Sequence, residues 1–199
     1  SPVTHMDFVD ARAKPGSIGP PLGDVEQRVV DMETGTRDLG SDELGELLLR
    51  GPNIMPGYYN QPEATAAAID EDGWFHSGDL VKIDVDGYVY VLDRKKELIK
   101  YSGFQVPPAE LEGILLEHPA VADAAVIGKA DLEHGEIPKA FVVLKADAQA
   151  TDGELMAYVA QQVATFKQVR EIEFVGAIPK NASGKLLRRV LVEQERAKG

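Results

Sequence analysis

The charge of this chain is divided unevenly along its length, and that division constrains the fold more than any other feature of the sequence. Residues 1–93 hold 6 Lys and Arg against 18 Asp and Glu, a net charge of −12, whereas residues 94–199 hold 15 of each and are neutral. The composition therefore changes at Asp93-Arg94, and most cations that could meet a phosphate follow that point. A chain of 199 residues can form one or two domains. We therefore expect two units, one over 1–93 and one over 94–199.

The composition excludes several classes of protein. Hydrophobic residues make up 44% of the chain and charged residues 27%, which is typical of a globular protein. The net charge of −12 argues against a nucleic-acid binder, which normally carries a basic surface. No apolar run approaches the roughly 18 residues of a membrane-spanning helix, and Ser1-Pro2-Val3 does not begin a recognisable signal peptide. The absence of cysteine excludes disulfides and thiolate metal sites, and we expect a cytoplasmic protein.

The first part of the chain is predicted to be rich in β-strands. Strands are expected over Val25–Val30 and Glu46–Arg50, which have Gly and Pro on their flanks. A hairpin is expected to join Leu80–Asp84 to Tyr88–Leu92 through the Asp86-Gly87 turn. Pro62–Ile69 predicts a short helix, because Pro is tolerated in a first helical turn and four alanines follow it.

The second part is predicted to be a compact α+β domain. Leu111, Ile114 and Leu115 share one helical face, so a helix is expected over Pro108–His118. Thr151 and Glu154 have the spacing of a capping box at the start of another helix. The other predicted elements are strands at Glu97–Tyr101, Val121–Ile127, Ala140–Leu144 and Ile172–Val175, and a last helix around Leu187–Leu191.

Asp79 ends a Gly-rich segment, Gly73–Asp79, that has two interpretations. Its carboxylate could serve as a turn former, or its two acceptor oxygens could bind a vicinal diol. A catalytic role for the nearby His76 is disfavoured, since no acid or nucleophile has a recognisable spacing to it. The Asp-rich stretches Asp70–Gly73 and Asp84–Gly87 do not fit the calcium loop of an EF-hand, so turns are expected there.

Two cationic segments follow the charge border. Arg94-Lys95-Lys96 could be a solvated basic turn or a hinge beside a phosphate-bearing ligand, with Gly103 allowing close approach of the backbone. The second segment, Pro179–Leu186, contains a Gly-Lys pair before a helix but lacks the first Gly and the trailing Ser or Thr of a Walker loop. A mobile polar loop that carries one cation, Lys185, into a site is the alternative interpretation.

Taken together and in order, these motifs resemble the adenylate-forming superfamily of acyl-CoA synthetases, adenylation domains and firefly luciferase. The similarity covers essentially the whole chain. The sequence of residues 99–112 is most similar to the branch of 4-coumarate–CoA ligases and fatty-acyl-CoA synthetases. The segments that carry the resemblance are Gly45-Glu46-Leu47, Gly57–Thr65, Gly73–Asp79, Asp93–Val106 and Pro179–Lys185.

The resemblance implies a fold and a set of roles. It implies a barrel-like end of a large AMP-binding domain over 1–93, followed by a small mobile lid domain over 94–199 with its hinge at 93–96. Asp79 and Arg94 are implied to bind the ribose of ATP, Lys96 to be the hinge residue and Lys185 to act in adenylation. The residues implied to face thioester formation are Lys100, Ser102, Gly103 and Gln105.

The implied ligands are a small carboxylic acid, ATP, AMP and coenzyme A. The resemblance places the Mg²⁺ ligands, the Ser/Thr-Gly phosphate loop and an aromatic-Gly-x-Thr-Glu motif upstream of Ser1, so no metal ligand is expected in this chain. The fragment alone is accordingly expected to be inactive. Ser77 stands where Thr is common, and Ser102 stands where Lys is frequent, which weakens the expectation of a CoA-phosphate contact there.

Three functions therefore remain open on the sequence. The first is the C-terminal part of an acid–CoA ligase, which forms an acyl-adenylate and pyrophosphate and then acyl-CoA and AMP. The second is an adenylation domain that loads a carrier protein. The third is a non-catalytic module that binds nucleotide or CoA.

Overall fold

The computed structural model describes residues 3–8 and 12–198. Ser1 and Pro2, which contribute to the expectation that no signal peptide is present, lie outside the described residues. The chain forms two compact units, Ser1–Lys96 and Glu97–Gly199, which we call the first unit and the second unit. Their division lies three residues after the charge border.

The first unit is built on an antiparallel sheet of four strands in the order β1-β2-β3-β4. A short helix, α1, precedes β3. The bounds are β1 Glu26–Val30, β2 Gly45–Arg50, α1 Pro62–Ala68, β3 Phe75–Ile83 and β4 Val89–Arg94. In the described residues this sheet is open, which corrects the expected barrel-like shape. Four short strands are too few to close around a filled interior, so β1 and β4 remain edges.

Alternation along the strands gives the first unit apolar side chains on both faces of its sheet. On β2, the inward set of Leu47 and Leu49 packs with Val81 and Val89, while Leu48 packs with Val30 and Trp74 on the other face. Successive side chains of a strand point to opposite faces, so this Leu-Leu-Leu run serves two apolar clusters. The pairing of β2 with β3 is irregular between Glu46, the charged residue that precedes this run, and Leu48.

The two Asp-rich stretches of the first unit are turns. Asp84 Oδ1 accepts hydrogen bonds from the backbone N–H groups of Asp86 and Tyr88, both at 3.0 Å, and Gly87 has a φ of +85°. Asp70 organises its own turn in the same manner. These carboxylates are occupied by backbone donors, which confirms the predicted turns.

The second unit begins with a single 3₁₀ turn over Lys95–Glu97, shared with the end of the first unit, where the sequence predicted the start of a strand. Its sheet has the order β6-β5-β8-β7, all antiparallel, with β9 added parallel to β8. Three helices pack on it. The bounds are β5 Ile99–Tyr101, β6 Phe104–Val106, α2 Pro108–Glu117, β7 Val121–Asp131, β8 Gly135–Leu144, α3 Asp152–Ala160, β9 Glu171–Phe174 and α4 Arg188–Arg196.

Both faces of the second sheet are covered by apolar side chains. Ala124 and Val126 of β7 pack with α2 and α3 residues such as Leu111 and Leu155. The alternate β7 residues, with Phe141 of β8, pack against Leu191 of α4. The predicted capping box is present, because the Thr151 hydroxyl accepts from the Glu154 N–H and the Glu154 carboxylate accepts from the Thr151 N–H. No helix in residues 3–8 and 12–198 is both long and apolar enough to cross a membrane.

Candidate functional site

Asp79 and Arg94 meet across the β3–β4 pair, where they are register partners. Arg94 Nε lies 2.8 Å from Asp79 Oδ1, and Arg94 Nη1 donates to the Ser77 carbonyl oxygen at 3.2 Å. The Asp79 side chain is 21% exposed and that of Arg94 is 52% exposed. The pair therefore presents a partly accessible carboxylate beside a cation, an arrangement able to accept hydrogen bonds from hydroxyl groups.

Glu46 is buried, at 4% exposure, and it contacts a chain neighbour of each member of this pair. Its Oε1 accepts from the Gly78 N–H at 3.2 Å, and its Oε2 lies 2.7 Å from Lys95 Nζ. A buried carboxylate requires such partners, because desolvation of an unpaired charge is costly. Sequence reasoning missed this role, although the signal was visible as a lone acid before an apolar run in β2.

His76 lies between two carboxylates that come from distant parts of the first unit. Its Nδ1 is 3.7 Å from Glu46 Oε1 and its Nε2 is 3.9 Å from Asp70 Oδ2. Both separations exceed hydrogen-bond length, so the geometry shows no proton relay. The expectation that His76 lacks an acid partner was incomplete, because the pairing of β2 with β3 brings Glu46 near it and the turn at Asp70 brings the second acid.

The β5–β6 hairpin carries four of the sequence-predicted site residues. Lys100 and Gln105 are register partners, so their side chains extend from the same face. Ser102 and Gly103 form the two-residue turn with φ values of +47° and +84°, as a type I′ turn requires. All four residues are exposed, and the hairpin therefore displays one cation, one amide and an open backbone tip.

Hydrogen bonds from two backbone N–H groups hold this hairpin to the β7–β8 hairpin beside it. The Lys100 N–H donates to Glu136 Oε2 at 2.8 Å, and the Ser102 N–H donates to the His134 carbonyl oxygen at 2.8 Å. The Lys100 backbone is thereby fixed while its ammonium group remains exposed. Such a fixed and accessible cation is suited to an anionic ligand.

Lys185 lies on a separate turn between β9 and α4. Asn181 organises this turn, because its Oδ1 accepts from the N–H groups of Ser183 and Lys185 at 3.0 and 2.8 Å. Gly184 has a φ of +79°, and a β-bridge between Lys180 and Leu186 closes the turn. The segment that could be a mobile polar loop on the sequence forms a hydrogen-bonded turn with an exposed Lys185 at its end.

The structure thus groups the sequence-predicted residues into three places. Asp79 and Arg94 form a pair in the first unit, and Lys96 is exposed in the 3₁₀ turn. The second unit places Lys100, Ser102, Gly103 and Gln105 on one hairpin and Lys185 on another turn. Among residues 3–8 and 12–198, no group of three or more His, Asp or Glu side chains is arranged to hold a metal ion.

Comparison with protein families gives two matches along the chain. Residues 1–59 match the family described as AMP-binding enzyme, and residues 110–185 match the family described as AMP-binding enzyme C-terminal domain. The 4-coumarate–CoA ligase 2 of Oryza sativa subsp. japonica is 51% identical over 179 residues, which are 90% of this chain and 31% of that protein. The peroxisomal OPC-8:0-CoA ligase 1 of Arabidopsis thaliana is 48% identical over 187 residues, which are 94% of this chain and 34% of that protein.

Two solved structures share the fold of this chain. The crystal structure of ATP-bound MatB from Rhodopseudomonas palustris superposes with a TM-score of 0.91 at 36% identity, covering 96% of this chain and 38% of MatB. The o-succinylbenzoate CoA synthetase MenE of Bacillus subtilis, in complex with AMP, superposes with a TM-score of 0.78 at 38% identity, covering 89% of this chain and 35% of MenE. The chain therefore spans about a third of the length of the proteins it matches.

Proposed function

Because this chain belongs to the AMP-binding enzyme family, we propose that it is the C-terminal part of an ATP-dependent acid–CoA ligase. The intact protein converts a carboxylic acid and ATP to an acyl-adenylate and pyrophosphate, and then transfers the acyl group to coenzyme A with release of AMP. The observation that carries the proposal is the 51% identity to a 4-coumarate–CoA ligase over 90% of the chain. A match over 90% of the chain must extend over both units.

Lys185 is proposed to act in the first half-reaction. A carboxylate that attacks a phosphate brings two anions together, so a preorganised cation at the developing charge lowers the barrier. The turn organised by Asn181 fixes the backbone of Lys185 and leaves its side chain exposed. These properties support a lysine that neutralises the encounter between carboxylate and α-phosphate.

The β5–β6 hairpin is proposed to act in the second half-reaction. Thioester formation requires the same carbonyl centre to be open to a thiol, after Lys185 has left it. Lys100 and Gln105 on one face, with Ser102 and Gly103 at the tip, supply a separate surface for that step. A small domain with two such surfaces serves both half-reactions by rotating about Lys96.

Asp79 is proposed to accept hydrogen bonds from the two ribose hydroxyls of ATP and of the adenylate, with Arg94 holding the carboxylate in place. The partial exposure of Asp79 and its 2.8 Å contact with Arg94 support this role. ATP is proposed to react as its magnesium complex. We assign no Mg²⁺ ligand to the described residues and propose that the ligands come from the further segments that the longer relatives contain.

The cellular location is proposed to be cytoplasmic. Composition supports this location, but the relative in Arabidopsis thaliana is named a peroxisomal ligase. Imaging of the intact protein with a fluorescent tag placed internally, so that both termini remain free, separates the two locations. Co-localisation with a peroxisomal marker would overturn the cytoplasmic proposal.

The central experiment measures both half-reactions of the intact protein with a panel of aromatic and fatty acids. With ATP and the acid but no CoA, pyrophosphate should be released in an amount close to one per active site, and addition of CoA should then give turnover and a thioester product. Pyrophosphate release with a carrier protein but no CoA thioester would favour the carrier-loading function. Nucleotide binding without pyrophosphate release for any acid would favour the non-catalytic module and overturn the ligase proposal.

A further inference from the structure

The residues on either side of Lys96 are held by different units. Lys95 Nζ lies 2.7 Å from Oε2 of the buried Glu46, within the first unit. On the other side, Glu97 Oε2 forms an ion pair with Arg188 Nη1, within the second unit. Lys96 itself is exposed. The ends of the proposed hinge are therefore each anchored, and the anchor on the second unit is Arg188.

Arg188 also binds Glu112 of α2 through two further contacts. Its Nε lies 3.1 Å from Glu112 Oε1 and its Nη2 lies 2.5 Å from Glu112 Oε2. The Glu112 carboxylate accepts a third hydrogen bond, at Oε1, from the Val126 N–H of β7 at 2.8 Å. The side chains of Arg188 and Glu112 are 18% and 12% exposed. A planar guanidinium that binds a carboxylate with two nitrogens in a mostly buried place is geometrically defined, unlike a flexible surface pair.

Arg188 is the first residue of α4 and stands three positions after Lys185. The intervening residues are fixed, because Leu186 bridges Lys180 and the Leu187 N–H donates to the Pro179 carbonyl oxygen at 2.9 Å. The guanidinium therefore joins the base of the Lys185 turn to α2 and to the hinge end of the second unit. One side chain thus connects three segments, the Lys185 turn, α2 and residue 97, that are separate in the sequence.

The neighbouring Arg189 shows what an ordinary surface arginine of this helix does. Its side chain is 88% exposed and its Nε lies 3.3 Å from Glu193, one helical turn away. Exposed pairs of this kind contribute little to stability. Arg188 and Arg189 are adjacent and of one type, so their different environments make Arg189 a matched control.

We propose that Arg188 is a positioning residue that makes the Lys185 turn and the hinge end of the second unit one rigid piece. A rotation at Lys96 is then transmitted to Lys185 without loss of its orientation. This inference rests on the proposed function for its catalytic consequence. The Lys100 hairpin has its own contacts with Glu136 and His134, so its orientation should depend less on Arg188 than that of Lys185 does.

The kinetic test uses the intact protein with Arg188→Gln, Arg188→Lys and the control Arg189→Gln. A misplacement of the reacting group by about 1 Å can cost about 100-fold in rate. We expect Arg188→Gln to slow single-turnover adenylate formation by about 10- to 100-fold and to leave thioester formation from a supplied acyl-adenylate little changed. Arg188→Lys should be intermediate, because an ammonium cannot make the paired contact with Glu112. Arg189→Gln should change neither step by more than about twofold, the range of a typical surface substitution.

A double-mutant cycle with Glu97→Gln tests the connection to the hinge. If Arg188 acts through Glu97, the two substitutions together should slow adenylation by less than the product of their separate effects. The inference is overturned if Arg188→Gln lowers both half-reactions equally, or if it affects adenylation no more than Arg189→Gln. The inference is also overturned if the double variant slows adenylation by the full product of the two separate effects.

Amide hydrogen exchange on the same variants tests, independently of activity, whether Arg188 couples the Lys185 turn to residues 97–98. Arg188→Gln should speed exchange in the Lys185 turn and at residues 97–98, whereas Arg189→Gln should leave both segments unchanged. Faster exchange at only one of these segments would show that Arg188 does not join them. If the intact wild-type protein forms no adenylate, the proposed function fails. The exchange result still shows whether Arg188 connects the Lys185 turn to the hinge end of the second unit.

Discussion

Lys139 of β8 and Glu195 of α4 form an ion pair in which Lys139 Nζ lies 2.8 Å from Glu195 Oε1 and 2.9 Å from Oε2. Lys139 is only 2% exposed. Its ammonium group also contacts the carboxylates of Glu171 and Glu173 on β9, at 2.7 and 2.9 Å. The pair therefore links α4 to β8 and belongs to a larger network of carboxylates and lysines.

The pKa of Glu195 predicts how this network responds to acid. Burial opposes ionisation of Glu195, but hydrogen bonds from Lys139 and Lys198 outweigh it and lower the pKa from 4.5 to about 2. A carboxyl group with a lowered folded-state pKa stabilises the fold above its unfolded pKa and loses that contribution as the pH falls through the folded value. The stability of the second unit should thus decrease between about pH 4.5 and 2.

Glu195→Gln should reproduce part of that loss at pH 7. Removing one charged hydrogen-bond partner is expected to cost about 1.5–3 kcal/mol of unfolding free energy, and Glu193→Gln, which is exposed, is the control. The one tryptophan of the chain, Trp74, lies in the first unit. Urea unfolding followed by circular dichroism should therefore shift to lower urea, while the fluorescence transition of Trp74 stays in place. A shift of the fluorescence transition alone would contradict the prediction.

Substitution of Asp79 should weaken nucleotide binding. Hydrogen bonds to a charged group contribute about 1.5–3 kcal/mol, so Asp79→Asn should raise the dissociation constant of AMP for the intact protein by about 10- to 100-fold. Arg94→Ala should have a smaller effect in the same direction, because it removes a partner that orients the carboxylate. Calorimetric titration measures both. Asp72→Asn, at an exposed turn position, should bind AMP normally, and equal losses in all three variants would argue against a specific role for Asp79.

Lys185 and Lys100 should fail in different half-reactions of the intact protein. Loss of one preorganised electrostatic contact costs about 10²–10³ in rate. Lys185→Ala should slow adenylate formation by about that factor and spare thioester formation from a supplied adenylate, and Lys100→Ala should do the reverse. Lys145→Ala, an exposed lysine of the same unit, should affect neither. Single-turnover assays separate the steps, and two lysine variants that lose the same step would rule out the two-surface mechanism.

Limited proteolysis should locate the hinge. Cleavage by a protease of broad specificity is expected first within residues 93–96 or within the turn before Lys185, because both segments are short and polar and contain exposed residues, Arg94 and Lys96 in the first and 180–185 in the second. Mass spectrometry of the earliest fragments identifies the sites. First cleavage inside α2, whose Leu111 and Leu115 are fully buried, would place the boundary elsewhere.

Sequence patterns predicted most elements to within a few residues, because apolar alternation and helical spacing are local properties. The predicted helix at Pro108–His118 is α2, and the predicted Val25–Val30 strand is β1. Strand β6 was missed, since the three residues of Phe104–Val106 are too few to show a period of two. β3 begins at Phe75, earlier than predicted, because the polar Ser77-Gly78-Asp79 segment hides its alternation.

The candidate site was predictable only where motifs are local. The Lys100 hairpin and the Lys185 turn each lie within a few residues, and their order along the chain indicated the family. Pairing across long separations was not predictable: Arg188 meets Glu112 and Glu97 from 76 and 91 positions away. Spacing carries no information about such partners, which depend on the packing of α4 and α2 against one sheet.

The placement of Leu191 has a consequence for how the second unit is made by the ribosome. The face of its sheet formed by Ala125, Ile127 and Phe141 is covered by α4, whereas the opposite face is covered by elements that are synthesised earlier. During translation, this side of the sheet therefore remains incompletely covered until Leu191 has been synthesised and can pack on it. This interval is when the nascent chain most needs a chaperone, because exposed apolar surface promotes aggregation.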